Sequence, residues 1–316
     1  MINYLELYKN FFYLRYVEET ISKKYSENKM RCPTHLSIGQ EAISAVHSCL
    51  VKRSDYSISM HRPHTHYLAK GGDLNSMICE LYGKKNGCSK GRGGSMHLID
   101  ENVNFMGSTS ILGNNIPIGI GLALSSKVLK KKNLTFIFLG DASVEQGSFY
   151  ESLNFAAVNK LKVVFICENN NFSVYSDLST RQPKDRKIYQ LAKSIGVNSA
   201  FSNGKKIENI FIKMKQAINY VNKNHKPFFL EIKTSRWLEH CGPNDDSDLG
   251  YRSLKELNNW KKNDSLNLIK IKLKKKYKLL KKIENMIRLK VKNAFDLAEK
   301  SEYPKYKELL EGVYES

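Results

Sequence analysis

Long hydrophobic runs are missing from this chain. No stretch of eighteen or more apolar residues occurs, so no segment is expected to cross a membrane as a helix. Paired cysteines are missing too. The six cysteines (Cys32, Cys49, Cys79, Cys88, Cys167, Cys241) lie scattered without a CxxC pair, which argues against a zinc ribbon or a disulfide framework and for free thiols in a reducing cytoplasm. The opening MINYLELYKNFFYLRYVEET mixes charge into its apolar pattern and has no small-residue cleavage site, unlike a secretory signal. Negative charge is scarce, with 31 acidic against 51 basic side chains and a formal net charge of +20. Such an excess invites a nucleic-acid reading. The lysines, however, gather in residues 261–292, notably KIKLKKKYKLLKK, where Tyr277 is the one interleaved aromatic and no recognition motif accompanies them. A solvated helical face, or a surface for an acidic partner subunit, accounts for them better than a nucleic-acid interface.

At 316 residues and 41% hydrophobic, the chain can bury a large core. It reads as one α/β domain over 1–316 with an N-terminal helical arm (1–30) and a C-terminal helical extension (253–316). Residues 135–175 organise it. TFIFL (135–139) is short, apolar and β-branched or aromatic, as a fully buried parallel strand should be, and it stops at Gly140-Asp141. Ser143 and Gln146 are spaced as a capping box ahead of a helical pattern through Phe149, Leu153, Ala156 and Ala157. VVFIC (163–167) makes a second buried strand that ends in Glu168-Asn169-Asn170. A right-handed crossover would set the two strands parallel, bringing Asp141 and Asn170 to the carboxyl edge, where open α/β sheets bind ligands. A carboxylate, an amide oxygen and a backbone carbonyl form half a shell for a hydrated magnesium holding a diphosphate. A helix start near Val144 would add N–H donors facing the anion. The plainer alternative is a helix cap at Asp141 and a turn at the asparagines.

Elsewhere, residues 3–27 form an amphipathic helix with Leu7, Phe11, Leu14, Val17 and Ile21 on one stripe. Pro33-Thr34-His35-Leu36 breaks the pattern, and Ser37 with Gln40 marks a capped helix through Leu50. Residues 56–60 read as a strand running into His61-Arg62-Pro63-His64-Thr65-His66, a loop whose three histidines lack a fourth ligand for zinc. The glycine-rich run 83–97 has neither the G-K-[ST] of a Walker loop nor a G-x-G-x-x-G turn after a strand. Residues 187–195 and 207–221 look helical and 227–234 extended. A Gly-, Pro-, Asn- and Asp-rich loop follows at 237–250, and helices broken near Asn263-Asp264 and Glu302-Tyr303-Pro304 close the chain.

The 26 residues between Gly140-Asp141-Ala142 and Asn169-Asn170 resemble the thiamine-diphosphate fingerprint, in which G-D-G precedes a similar interval and N-N. GQEAISA (39–45), YGKKNGCSKGRGGSMHL (82–98), LEIKTSRWLEHCGPNDDSDLGYR (230–252) and the ending ELLEGVYES (308–316) resemble, in order, segments of the α subunits of 2-oxo acid dehydrogenases, the E1 family of the pyruvate, acetoin and branched-chain enzymes.

That resemblance implies a thiamine-diphosphate-binding fold and a set of site residues. Asp141, Asn170 and the backbone carbonyl of Phe172 would hold Mg²⁺. Arg62 would hold the diphosphate, a role its planar fork suits, with Gly140, Ala142, Ser143, Ser110 and Leu112 also at the coenzyme. His61 stands where the family has tyrosine, so one phosphate contact is unsettled. His64 matches a family histidine that either faces the thiazolium or packs in its loop. His97 and His240 would act on the substrate and acyl intermediate. Leu238-Glu239 replaces the family's His-Gly, and Cys241 replaces a serine that is phosphorylated in some members. The implied enzyme decarboxylates a 2-oxo acid and passes the acyl group to a lipoyl acyltransferase. It works with a separate E1 β subunit, as an α₂β₂ assembly, because the glutamate that activates the coenzyme comes from β. The Leu238-Glu239 departure keeps acetoin cleavage or thiamine chemistry in sugar biosynthesis as alternatives.

Overall fold

The computed structural model describes residues 2–311, so the last five residues of ELLEGVYES lie outside it. The described residues form eight strands: β1 (Tyr56–Ser59), β2 (Phe105–Ser108), β3 (Thr135–Gly140), β4 (Val163–Asn169), β5 (Phe172–Ser173), β6 (Ser176–Asp177), β7 (Asn198–Ser202) and β8 (Phe228–Lys233). Six of them form one parallel sheet in the order β2-β1-β3-β4-β8-β7, while β5 and β6 make a small antiparallel ribbon. The chain moves outward from β1 to β2 and returns past β1 to β3. The strand order thus reverses beside β1, the place where such sheets leave a crevice at their carboxyl ends.

Side chains of β3 alternate between two cores, as the period of a strand requires. Phe136 and Phe138 face one core, built with helices α1 (Tyr4–Tyr25), α2 (Glu41–Leu50), α3 (His64–Ala69) and α4 (Leu74–Leu81). Ile137 and Leu139 face the other, built with α5 (Asn115–Val128) and α6 (Gly147–Val158). Both faces being covered, Phe136, Ile137, Phe138 and Leu139 are fully buried, which is why the strand carries no polar alternation. After the ribbon come α7 (Leu178–Arg181), α8 (Ile188–Ser194), α9 (Ile207–Asn224), α10 (Leu254–Lys262), α11 (Ser265–Lys272) and α12 (Tyr277–Lys300). The α1 stripe of Leu7, Phe11, Leu14, Val17 and Ile21 is at most 1% exposed. Arg15 from α1 joins Glu41 of α2 (2.5 Å) and Asp264 at the start of α11 (3.2 Å), so the two ends of the chain meet around a buried guanidinium.

Two expected caps do not form. Asp141–Glu145 is a 3₁₀ turn, and α6 begins only at Gly147 with no side-chain cap from Gln146. The tighter turn directs Ser143 into the interior, where its hydroxyl has no partner among the described residues. Ser37 likewise does not cap α2: its backbone N–H donates to Glu18 at 2.6 Å, and Gln40 turns toward Asn170. At Ser37 a distant carboxylate outweighs the local hydrogen bond that the spacing offered, and at Ser143 the 3₁₀ turn removes the helical N–H groups that a cap would have met.

The glycine-rich loop owes its shape to one carboxylate. Glu80, at the end of α4, is fully buried and accepts four backbone N–H donors, from Ser89 (2.8 Å), Gly91 (2.9 Å), Gly93 (2.7 Å) and Gly94 (3.1 Å). Successive amides around an anion form a nest, and here the anion is the chain's own side chain. Gly91 has φ +76°, and a Cβ there would lie 2.7 Å from the Gly83 carbonyl. Only glycine fits that approach. Replacing Glu80 with alanine strands four half-buried donors at once, so stability should fall by roughly 3 kcal/mol, read as a lower urea midpoint, with new tryptic cleavage after Lys90 and Arg92. An unchanged midpoint and digest would contradict this.

Candidate active site

The ends of β1, β3 and β4, the β5–β6 ribbon and several loops converge on one cavity of about 240 Å³. At the end of β1 stand Met60, His61 and Arg62; at the end of β3, Gly140, Asp141 and Ala142; at the end of β4, Glu168 and Asn170. Phe172, Ser173 and Val174 of the ribbon close one side, and Met96, Ser110 and Leu112 another. His35, ahead of α2, and His240, in the loop after β8, complete the lining. Parallel pairing sets Gly140 opposite Glu168, so β3 and β4 end level and Asp141 and Asn170 open onto the same space.

Asp141 is 2% exposed. Burial raises its carboxyl to about 6, against the opposing pull of Arg181, whose Nη2 donates to Oδ2 at 2.5 Å, and of the Asn170 backbone N–H. Asn170 is held at both ends of its amide: Nδ2 donates to Gln40 Oε1 at 2.8 Å, and Oδ1 accepts the Phe172 N–H at 3.0 Å. That oxygen keeps a second lone pair, as any carbonyl does. A hard carboxylate oxygen, a fixed amide oxygen and the nearby Phe172 carbonyl form a donor set suited to magnesium rather than to a soft metal.

Across the cavity the charge is reversed. Arg62 is 2% exposed and donates to the Leu36 and His240 carbonyls, both at 2.8 Å, and to His240 Nδ1 at 3.1 Å. None of these partners is an anion. Burial and then the repulsion of Arg236 pull the Arg62 guanidinium down to about 9. A buried charge without a counter-charge is costly, so this end of the cavity is complementary to an anion.

Three imidazoles cluster beside Arg62, with ring centroids 5.0 Å apart for His35–His61, 5.0 Å for His35–His240 and 5.4 Å for His61–His240. All are neutral near pH 7. Burial and then Arg62 lower His35 and His240 to about 3 and push His61 well below its usual range. Arginine can only donate, so Nδ1 of His240 is the acceptor and its proton resides on Nε2. The side chain is thereby fixed as an N–H donor.

Other expected residues lie elsewhere. His64 is not in a free loop: it opens α3, is fully buried, and bonds Glu18 (2.7 Å) and Ser95 (2.8 Å), behind the cavity wall rather than in it. His66 bridges Glu168 (2.9 Å) and Ser59 (2.7 Å) and stacks on Phe138 at 3.8 Å. Among the described residues no cluster of histidines, cysteines and acids could hold a zinc ion. His97 is exposed on the glycine-rich loop, and its neighbour Met96, not its own ring, lines the cavity. Ser143 lies beneath the floor, fully buried. Sequence reasoning missed His35, which read only as part of a helix break, and also Glu168 and Arg181. His35 directly precedes the Leu36 whose carbonyl holds Arg62; that pairing is visible only in the fold.

The histidine cluster has a pH consequence. With folded-state values below the usual 6.5, these rings stay neutral while the unfolded chain takes up protons, so stability is complete above pH 6.5 and is lost as pH falls from 6.5 toward 3. His61→Tyr removes one such ring and should flatten the decline of the urea midpoint between about pH 7 and about pH 5. A decline parallel to that of the unaltered chain would contradict the assignment.

The family model described as "Dehydrogenase E1 component" matches residues 9–307. The pyruvate dehydrogenase E1 component subunit alpha of Rickettsia bellii is 36% identical over 315 residues, spanning 98% of this chain and 95% of that protein. That of Rickettsia felis matches to the same extent, and the chloroplastic alpha-3 subunit of Arabidopsis thaliana is 32% identical over 321 residues, 98% of this chain and 74% of that protein. With the match running over nearly its whole length, the chain belongs to the dehydrogenase E1 component family.

Proposed function

We propose that the chain is the α subunit of a thiamine-diphosphate- and Mg²⁺-dependent E1 that decarboxylates a pyruvate-like 2-oxo acid and passes the acyl group to a lipoyl acceptor. The observation that carries this reading is the pairing of opposite electrostatic demands in one cavity. A buried carboxylate with a fixed amide oxygen calls for a hard cation, and a buried guanidinium opposite, without an ion pair among the described residues, calls for an anion. A magnesium diphosphate meets both.

In this reading Asp141, Asn170 and the Phe172 carbonyl hold the metal. Arg62 holds the diphosphate, with Ser110, Leu112, Gly140 and Ala142 around the coenzyme and Ser143 supporting the turn from below. When bound, the coenzyme supplies the carbon nucleophile and the electron sink for loss of CO₂. The chain's own contribution is to orient and to handle protons. His240 offers its Nε2–H as a donor to an oxygen of the substrate or acyl group. His61 and His35 hold a low-polarity wall beside it, and His61 cannot reproduce a tyrosine hydroxyl's contact. In the same reading His97, exposed on the loop that Glu80 organises, would meet substrate at an interface with a second subunit, and His64 would act through Ser95 on that loop's base.

The partner of an E1 α subunit is an E1 β subunit. An α₂β₂ assembly, with the activating glutamate supplied by β and a lipoyl acyltransferase as acceptor, completes the proposal. The six free cysteines and the lack, among the described residues, of a helix long and apolar enough to cross a membrane accord with a cytoplasmic setting.

The test is to assemble the chain with its β partner and follow CO₂ release from a panel of 2-oxo acids, with and without Mg²⁺ and thiamine diphosphate. Turnover of pyruvate or a close analogue, strictly dependent on both, is expected. Asp141→Ala should weaken coenzyme binding by about 100-fold or more, since it removes one member of a buried charge pair. Unchanged affinity in that variant would refute the metal assignment, and turnover of no 2-oxo acid would favour acetoin cleavage or another thiamine reaction.

A further inference from the structure

Asp141 does not stand alone at the end of β3. Its Oδ2 accepts Nη2 of Arg181 at 2.5 Å, while Nη1 of the same guanidinium bonds the Glu145 carboxylate and Nε reaches the Ser176 carbonyl at 3.3 Å. Oδ1 of Asp141 accepts from no side chain among the described residues. The Arg181 side chain is only 12% exposed. Its position is set by an ordered segment: the Leu178 N–H donates to the Asn171 carbonyl at 2.7 Å, Phe172 pairs with Asp177, and the Asp177 side chain caps α7 through Ser179 at 2.8 Å. Gln182 adds a bond to Glu145 at 3.0 Å. Arg181 thus ties the turn after β3, which carries Asp141, to the ribbon that carries Phe172 and follows Asn170.

We propose that Arg181 is the positioning residue of the cation site, holding one oxygen of Asp141 so that the other is presented for the metal, and locking the two elements that carry the ligands in one register. This rests on the assignment of Asp141 as a metal ligand. A ligating carboxylate is ordinarily fixed by a hydrogen bond to its second oxygen, and loss of such an outer partner weakens metal binding about 10–100-fold. The planar fork of arginine, engaging two carboxylates at once, does what a lysine could not. Glu145 is part of the device, because it holds the second arm of the fork.

The experiment titrates Mn²⁺ into the assembled α/β complex at saturating thiamine diphosphate, with bound metal counted by electron paramagnetic resonance. Arg181→Met should weaken Mn²⁺ binding about 10–100-fold, Arg181→Lys should fall between that variant and the wild type, and Glu145→Gln should show a smaller loss. Decarboxylation by Arg181→Met should recover at high Mg²⁺ with an unchanged KM for the 2-oxo acid, a rescue that a merely structural role would not give. Wild-type or tighter metal affinity in Arg181→Met would overturn the inference, tighter binding meaning that the guanidinium competes with the cation. Asp141→Ala in the same titration separates the two claims. If it keeps wild-type Mn²⁺ affinity, the metal assignment itself fails; if it loses binding while the Arg181 variants do not, only the positioning role fails. Should Arg181→Met not assemble with β, the Arg181→Lys and Glu145→Gln titrations decide the same question.

Discussion

A carboxylate placed at the end of a strand covered on both faces is the constraint on which the rest of this structure depends. Asp141 cannot hydrate freely, so its surroundings must stabilise its charge. The chain does this in part with Arg181 and the Asn170 N–H, yet the carboxyl still lies high, near 6. Arg62, on the other side of the cavity, is the mirror image, a buried cation given only carbonyls and an imidazole. Each charge alone would destabilise the fold. Together, about a cavity of this size, they make a site whose electrostatic deficit is met by a cation and an anion arriving as one group. Sites prepared in advance in this way carry the reorganisation cost in the folded protein rather than in the reaction.

The supporting layers follow from that demand. His64 with Glu18 behind the cavity, and His66 between Ser59 and the cavity-lining Glu168, supply satisfied hydrogen bonds instead of free polar atoms. Glu80 plays the same part for the glycine-rich loop, which would otherwise be too mobile to hold Met96 against the cavity. The histidine trio stays neutral because burial and Arg62 both penalise a second positive charge, so acid works against the fold there. The surplus of lysine takes no part in this. It lies on exposed positions of α11, α12 and the turn between them, where isolated charges contribute little to stability.

What could be read in the sequence was whatever depends on local pattern. The buried runs of β3 and β4 announced themselves because a parallel strand covered on both faces has no polar alternation to hide it. The α1 stripe, the break before Asp264 and the acidic and amide strand ends were legible for similar reasons. The caps at Ser37 and Ser143 were not, since Glu18 reaches Ser37 from outside the local window and the chain takes a 3₁₀ turn at Ser143 where the spacing suggested an α-helix. Nor was Arg181, 40 residues beyond Asp141, or His35, which reaches the cavity only once α2 is seated. His97 and His64 show the limit from the other direction. A motif marks a histidine as important, but whether its ring enters the cavity, backs it or faces a neighbouring subunit is a property of packing.

The most direct measurement of the central claim is the anomalous diffraction of the assembled α/β complex crystallised with thiamine diphosphate and Mn²⁺. The account predicts a metal peak about 2.1 Å from a carboxylate oxygen of Asp141 and from Asn170 Oδ1, with the diphosphate between the metal and Arg62. A metal held by other residues, or a diphosphate bound away from Arg62 with Asp141 still joined only to Arg181, would contradict it.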